Sequence, residues 1–129
     1  MSSNREEDFG RITGTSSLCF IRDARGRIYQ SSDRGKSWVL NSDTGSSFNN
    51  LQNADHFNDA LVVFTTRNDD VYYSTDQGTS WSNSVAPTSF IHDVAVLDEN
   101  TIVVGGSSSE IARSVDGGAN WITVVTRDR

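Results

Sequence analysis

The sequence predicts an all-β protein built from three four-stranded antiparallel units. A short motif occurs three times at nearly equal intervals, and an apolar run rich in β-branched and aromatic residues precedes each copy. No segment keeps the apolar period of three to four residues that an amphipathic helix needs. A chain of 129 residues has room for one domain of ordinary size, so the three units must share it.

The repeated motif has the form Ser-x-Asp-x-Gly-x-x-Trp. Its copies are SSDRGKSW (31–38), STDQGTSW (74–81) and SVDGGANW (114–121). Their aspartates are 43 and 40 residues apart, an interval typical of one four-stranded repeat. The segments that end at each Trp align without a gap, as residues 18–38, 61–81 and 101–121. The three units are therefore organised around the same block.

Each aligned segment contains two predicted strands, and another strand follows the Trp. The first strand is the run LCFI, LVVF or TIVV, which is typical of a strand buried on both faces. A turn rich in Gly, Asn, Asp and Ser leads to the second strand, which opens at Ile28, Val71 and Ile111. The third begins at the Trp of the motif, in WVLN, WSNS and WITVV.

One more strand is expected before each aligned segment. FIHDVAVL (90–97) is a good candidate, FGRIT (9–13) a fair one, and the polar stretch LQNADHF (51–57) a poor one. Segment 41–56 is predicted to be the longest loop, and residues 1–7 are predicted to be disordered. The three units would then span about 8–42, 48–84 and 89–127.

Turn chemistry accounts for every fixed position of the motif. Aspartate accepts hydrogen bonds from backbone N–H groups about two residues onward, the serine hydroxyl binds nearby backbone, and glycine allows a positive φ. The indole packs on a sheet and buries roughly 150–250 Å². The rival reading is metal binding, but single aspartates about 40 residues apart do not form a calcium loop. The motif residues are therefore predicted to be structural: Ser31, Asp33, Gly35, Trp38, Ser74, Asp76, Gly78, Trp81, Ser114, Asp116, Gly118 and Trp121.

The three motifs resemble the Asp boxes of the BNR-repeat family of β-propellers, which includes sialidases, sortilin-type receptors and Ycf48-type photosystem assembly factors. The resemblance covers three complete boxes and about 120 residues, and departs from the family only where Ser37, Ser80 and Asn120 replace the usual Thr. It implies that each unit is a propeller blade. It also implies that the boxes lie on a face remote from the ligand site.

Three blades are too few to close a ring, because propellers typically have about four to eight. An open arc would expose the apolar faces of its terminal blades. We therefore expect a homodimer with six blades and twofold symmetry, closed by face-to-face packing of whole blades. The alternative is that the chain completes a blade array on another protein.

Composition narrows the class of partner. The formal net charge is −6, and the ten Arg and one Lys are scattered, so nucleic acid is not expected. No apolar run approaches the roughly 20 residues of a membrane span, and residues 1–10 lack a signal peptide's apolar core. The single thiol, Cys19, lies in an apolar run, where an inert small side chain is expected. We expect a soluble, cytoplasmic protein without cofactor or metal.

Ligand-binding residues are expected on the face opposite the boxes, in the turns between second and third strands and in the links between blades. The candidates on these loops and near the central channel are Arg22, Arg25, His56, Arg67, Asn68, His92, Asp93 and Ser107. The rival reading for each is a solvated turn residue or, for His92, local packing. His92 beside Asp93 is a weak signal for proton transfer, because no nucleophile stands in a recognisable context.

The sequence favours a non-catalytic binding protein for a protein, glycan or small ligand. Glycoside cleavage needs placed carboxylates or, in sialidases, a tyrosine nucleophile with an acidic partner and an arginine cluster. Tyr29, Tyr72 and Tyr73 precede boxes at repeated strand positions, and the arginines match no such motif. The alternative is a minimal glycan-binding or sialidase-like glycosidase.

Overall fold

Three separate four-stranded antiparallel sheets make up the structure, a computed structural model. It describes residues 9–15, 17–23, 26–43, 51–66 and 69–124, and only the backbone at 9–11, 51 and 52. Segment 1–7, predicted to be disordered, lies outside the described residues. In each sheet the strands follow chain order and neighbouring strands are antiparallel. The predicted all-β fold of three four-stranded blades is therefore confirmed.

The twelve strands of the described ranges divide evenly among the blades. Blade 1 consists of β1 (Phe9–Gly14), β2 (Cys19–Asp23), β3 (Arg27–Ser31) and β4 (Val39–Asp43). Blade 2 consists of β5 (Leu51–Phe57), β6 (Leu61–Thr66), β7 (Asp70–Ser74) and β8 (Ser82–Val85). Blade 3 consists of β9 (Ile91–Val96), β10 (Ile102–Gly106), β11 (Ile111–Ser114) and β12 (Ile122–Val124). A single 3₁₀ turn, Ser107–Ser109, is the only helical element in the described ranges.

Two boundary predictions were wrong: the extent of the loop at 41–56 and the start of the fourth strands. Segment 41–56 is not one loop, because β4 continues to Asp43 and β5 begins at Leu51. The polar stretch 51–57 is a full strand, paired with β6 from Leu51 to Phe57 across a register shift. The fourth strands also begin one residue after the box Trp, which itself precedes the strand.

The hydrophobic core lies between the blades. One cluster joins Phe20 and Ile28 of blade 1 to Val62 and Phe64 of blade 2. A second cluster joins the other side of blade 2 to blade 3, with Leu61, Val63, Val71, Ala86, Ile91, Val94, Val96, Ile102, Val104 and Ala112 buried. Each blade therefore depends on its neighbours for burial, as expected of stacked repeats.

Only the middle blade has a second strand buried on both faces. Every residue of β6 is buried, whereas β2 and β10 each have only two buried residues. The prediction of two-sided burial is therefore correct for LVVF and wrong for LCFI and TIVV. The reason is that blades 1 and 3 each have one neighbouring blade, which covers one face of the sheet.

The strand order gives the blades two distinct ends. The turns after the first and third strands, including the Asp boxes, lie at one end, which we call the box face. The turns after the second strands and the links between blades lie at the opposite face. The first strands of adjacent blades are close neighbours, while the fourth strands are farther apart. The blades thus fan outward from the first strands.

Candidate functional site

The three Asp boxes have the same hydrogen-bond network. In blade 1, Ser31 Oγ donates to Asp33 Oδ1 at 2.8 Å and accepts from Gly35 N at 2.8 Å. Asp33 also accepts from the backbone N and Oγ of Ser37, at 2.9 and 2.5 Å. The carboxylate therefore reaches four residues onward, not about two as predicted. The positions where Ser37, Ser80 and Asn120 replace Thr supply the same side-chain donor.

The box carboxylates are stabilised in their charged form. Hydrogen bonds, first from the side chain and backbone of Ser37 and then from Ser31, lower the pKa of Asp33 from 3.8 to about 2. The pKa of Asp76 is lowered first by Ser80, and that of Asp116 first by Asn120. Hydrogen-bond donors within each turn account for these lowered pKa values, so no bound cation is needed to explain them. Within the described ranges, no group of three His, Cys, Asp or Glu residues is placed to hold a metal ion.

The box tryptophans connect successive blades. Trp81 Nε1 donates to Asn41 Oδ1 of blade 1 at 2.6 Å, and its ring meets Phe20 edge-on at 5.8 Å between centroids. Trp121 Nε1 donates to Ser84 Oγ of blade 2 at 2.8 Å. Trp38, in blade 1, donates to Gly35 O of its own box at 3.0 Å. The boxes are therefore scaffold parts that fix how one blade sits on the next.

Two predicted site residues meet on the opposite face. His92, exposed near the start of β9, shares a hydrogen bond of 3.1 Å between its Nε2 and Ser107 Oγ. Its Nδ1 makes no hydrogen bond to any residue that the structure describes. Its backbone O accepts from Asn53 Nδ2 of β5 at 2.9 Å. Ser107 therefore orients the imidazole through Nε2, while Asn53 holds the backbone of His92.

The turn that carries Ser107 has an unusual backbone. Ser108 and Ser109 have φ values of 58° and 62°, a left-handed conformation that non-glycine residues seldom adopt and that costs energy. The turn is held against the link from blade 2, because Glu110 Oε1 accepts from Ser89 N and Ser107 N donates to Phe90 O at 3.1 Å. Such energetically costly turns cluster at functional sites.

Asp93 lies beside His92 in sequence but faces the other side of β9, as strand alternation requires. Together with Val94, Ala95, Val103 and Gly105, it lines an open groove of about 180 Å³. The structure therefore separates Asp93 from the His92–Ser107 pair and assigns it to the outward side of blade 3.

The arginine candidates are distributed differently. Arg22 lies in β2 opposite Ile28, next to the turn where the buried Asp23 binds Arg27 Nε at 2.6 Å. Arg25, Arg67 and Asn68 lie outside the described residues.

His56 was placed on the wrong face. It is not part of a link between blades but lies in β5 opposite Val62, which in turn pairs with the box residue Ser74. Its Nδ1 is 2.6 Å from Thr13 Oγ1 of blade 1. His56 therefore lies towards the box face and joins the first strands of blades 1 and 2.

Sequence reasoning missed a set of polar residues that link the blades. Asp59 accepts from Thr15 Oγ1 at 2.6 Å and from Ser17 Oγ at 3.0 Å. Asp55 Oδ2 accepts from Val96 N at 2.7 Å, and Asn41 Nδ2 donates to Gly78 O at 2.9 Å. The available signal was the presence of polar residues in an otherwise strand-forming stretch. Their partners lie on neighbouring blades and cannot be read from the local sequence.

Cys19 is half-buried and forms no disulfide. Burial raises the pKa of its thiol, with a smaller opposing contribution from the backbone hydrogen bond of Phe20. A raised pKa leaves little thiolate, so the thiol is a poor nucleophile.

None of the described ranges contains a helix with the length and apolar character of a membrane span.

Comparison with known proteins agrees with this architecture. The family model described as BNR/Asp-box repeat matches residues 72–83, the strand and box of blade 2. YCF48 from Cyanidioschyzon merolae has a TM-score of 0.73 at 22% identity, over 96% of this chain and 39% of that chain. A structure of YCF48 bound to D1 peptide has a TM-score of 0.77 at 15% identity, over 98% and 46% of the two chains. The search of curated protein sequences gave no match.

A glycoside hydrolase has a similar fold over a smaller share of its length. The GH74 enzyme of Niastella koreensis has a TM-score of 0.67 at 18% identity, over 89% of this chain and 17% of the enzyme. The present chain thus spans less than half of each of these structures. At such identities the likeness shows the fold alone. Together with the matched repeat, it supports the predicted BNR-repeat β-propeller family and confirms a fold of β-propeller blades.

Proposed function

We propose that this chain is a non-catalytic recognition protein that binds a peptide segment of a partner protein at His92 and Ser107, on the face opposite the Asp boxes. The carrying observation is the exposed His92–Ser107 hydrogen bond of 3.1 Å between an innermost strand and a turn with two left-handed serines. The Nδ1 of His92, which bonds none of the described residues, can donate to or accept from a peptide backbone. The structure of YCF48 bound to D1 peptide supports a peptide as the ligand class, since that protein has a similar fold.

The scaffold favours recognition at this position. Binding residues are commonly carried on loops above a rigid framework, and here the boxes fix the framework from the other end of the blades. The imidazole of His92 is held by Ser107 and its backbone by Asn53, so the side chain has less conformational entropy to lose on binding. The expected cytoplasmic location is part of this proposal, and cell fractionation tests it.

Selection from a phage-displayed heptapeptide library on the immobilised chain tests the proposal. Peptides selected on the wild-type chain should bind His92→Ala about tenfold more weakly, which corresponds to one lost hydrogen bond of about 1.4 kcal/mol. Asn83→Ala, which changes an exposed polar residue of β8, should leave binding unchanged. Selected peptides whose affinity is the same for both variants would contradict the site.

The alternative, a glycan-binding or glycosidase-like protein, is supported by the fold it shares with a GH74 enzyme. It predicts sugar release from xyloglucan or from a fluorogenic sialoside. The recognition proposal predicts no release above that of the heat-denatured chain. Turnover that depends on an intact chain would favour the alternative.

A further inference from the structure

We propose that the outward faces of blades 1 and 3 are two halves of one interface, through which two copies of this chain close head to tail into a six-bladed ring. The leading face of blade 1 consists of Ile12, Cys19, Ile21, Tyr29 and Trp38. The trailing face of blade 3 consists of Leu97, Val103, Ile111 and Val115. The proposal goes beyond ligand binding and does not depend on His92.

Residues of the leading face occupy positions that are buried in the following blades. Ile12 pairs with Ile21 as Val94 pairs with Val104. Val94 is 9% exposed because it packs on blade 2, whereas Ile12 is 56% exposed. The side chain of Ile12 therefore lacks only a preceding blade.

The trailing face of blade 3 repeats the surface that blade 2 presents to blade 3. Leu97 and Val115 are 57% and 54% exposed. In blade 2, the equivalent Phe57 packs on the second core cluster, and the equivalent Thr75 lies at the box of blade 3, with its Cγ2 3.6 Å from an ideal Cβ at Gly117. Both outward faces of the arc are thus surfaces of the kind that two blades bury between them.

The side chain of Ile12 on the leading face matches a groove on the trailing face. The groove of about 180 Å³ on the outward side of blade 3 is lined by Ala95 and Val103 among other residues. On blade 2, the position of Val103 is held by Val63, which is fully buried in the cluster that contains Val94 of blade 3. Because Ile12 is the counterpart of Val94, Ile12 of a second copy is the side chain that fits this groove.

The box glycines also differ between blade 1 and the two blades that follow it. An ideal Cβ on Gly78 would lie 2.7 Å from the ring of Phe20, and one on Gly118 would lie 2.9 Å from the ring of Tyr73. Each of these glycines therefore receives an aromatic ring from the preceding blade. A Cβ on Gly35 would meet only Trp38 of the same box, at 3.8 Å. Among the described residues, Gly35 therefore has no side chain of another blade against it, and it can receive one from blade 3 of a second copy.

A second copy is the occupant that satisfies both faces at once. One chain carries a leading face and a trailing face, so two chains form two identical seams under twofold symmetry. The total of six blades falls within the usual range of about four to eight. A dimer that paired two like faces would bury one kind of face and leave the other bare.

Two monomer-forming variants, mixed together, test the head-to-tail arrangement. Ile12→Asp breaks the leading face and Val115→Asp the trailing face, so each variant alone should dissociate about a hundredfold more readily, because it places a charge in an apolar seam. A mixed pair keeps one seam with both faces intact. Native mass spectrometry, with one variant labelled with ¹⁵N, should therefore show mixed dimers where each variant alone is monomeric.

Val85→Asp is the matched control, because Val85 is 58% exposed and belongs to blade 2. It should dimerise like the wild-type chain, and circular dichroism should show that all three variants are folded. A wild-type chain that stays monomeric would overturn the proposal and leave another protein, or further blades, to close the arc. Folded variants that dimerise normally, or that fail to recover dimers when mixed, would overturn it as well.

Discussion

At the residue scale, the box aspartates combine charge and turn geometry in one side chain. Asp33 accepts from Ser31, from the backbone of Ser37 and from the hydroxyl of Ser37. These donors favour the ionised carboxylate, so protonation must weaken the turn. The boxes are therefore pH-dependent parts of the scaffold.

Acid should destabilise the protein in a defined interval. The folded pKa of Asp33, about 2, lies below the ordinary value of 3.8, so its contribution to stability is present above pH 3.8 and is lost as the pH falls to about 2. The pKa values of Asp76 and Asp116 are lowered in the same direction. Urea denaturation midpoints across this interval measure the effect. Asp33→Asn should reduce the slope of the urea midpoint against pH. An unchanged slope would show that Asp33 does not contribute to the acid sensitivity.

Alanine substitutions at two box glycines distinguish the cost of backbone strain from the cost of steric overlap. Gly35 and Gly78 have φ values of 87° and 85°, so replacement by alanine costs about 1–2 kcal/mol at either position. At Gly78 the new methyl group would also overlap the ring of Phe20, which adds about 1–3 kcal/mol. Urea denaturation of Gly78→Ala should therefore show the larger loss. Equal losses would mean that Phe20 moves aside freely.

At the scale of the structural element, the blades are joined by polar bonds as well as by apolar packing. Trp81 and Asn41 illustrate this combination, because the indole N–H donates to the amide while its ring packs on Phe20 and Phe64. The same amide group also donates to Gly78 O. One side chain of β4 thus satisfies two groups of the next blade.

A double-mutant cycle measures this connection. Asn41→Ala leaves the Trp81 N–H and the Gly78 carbonyl without this partner and should cost about 1–3 kcal/mol. Trp81→Phe removes the donor, so the two changes together should cost less than the sum of their separate effects, with a coupling of about 1 kcal/mol. Additive losses of unfolding free energy would show that the bond contributes nothing. Asn83→Ala provides an exposed control on β8.

The sequence predicts most strands clearly and indicates β5 only as a poor candidate. The apolar runs of β2, β6 and β10 have the composition of buried strands, and the boxes give the following turns. In β5 the apolar residues Leu51, Ala54 and Phe57 are spaced by three, and the register shifts between Leu51 and Asn53. A bulge breaks the alternation that would reveal a strand. Its polar residues are explained by bonds to blades 1 and 3, which a local pattern does not contain.

The candidate site was predicted in part. The repeat pattern places Ser107 on the face opposite the boxes and His92 near the central channel, and the structure joins the two side chains at 3.1 Å. The position predicted for His56 is wrong, because segment 41–56 is predicted to be a link between blades, whereas His56 lies in β5 towards the box face. The left-handed serines have no sequence signal, since serine adopts this conformation only when the surrounding turn imposes it.

At the scale of the whole molecule, the two terminal blades bury opposite faces of their second strands. In β2 the residue Phe20 is buried and Ile21 is not, whereas in β10 Val104 is buried and the position of Phe20 is held by the less buried Val103. The two outward faces are therefore complementary halves of the interface that the chain makes twice internally. This arrangement makes closure by a second copy the central claim about the molecule.

The most direct test of that claim is the solution mass of the wild-type chain, measured by light scattering coupled to size exclusion at several concentrations. The account predicts twice the mass of one chain, with no larger species as concentration rises, because a closed ring leaves no blade face free. A mass of one chain at every concentration would contradict it, and growth beyond two chains would show an open, non-closing stack of blades.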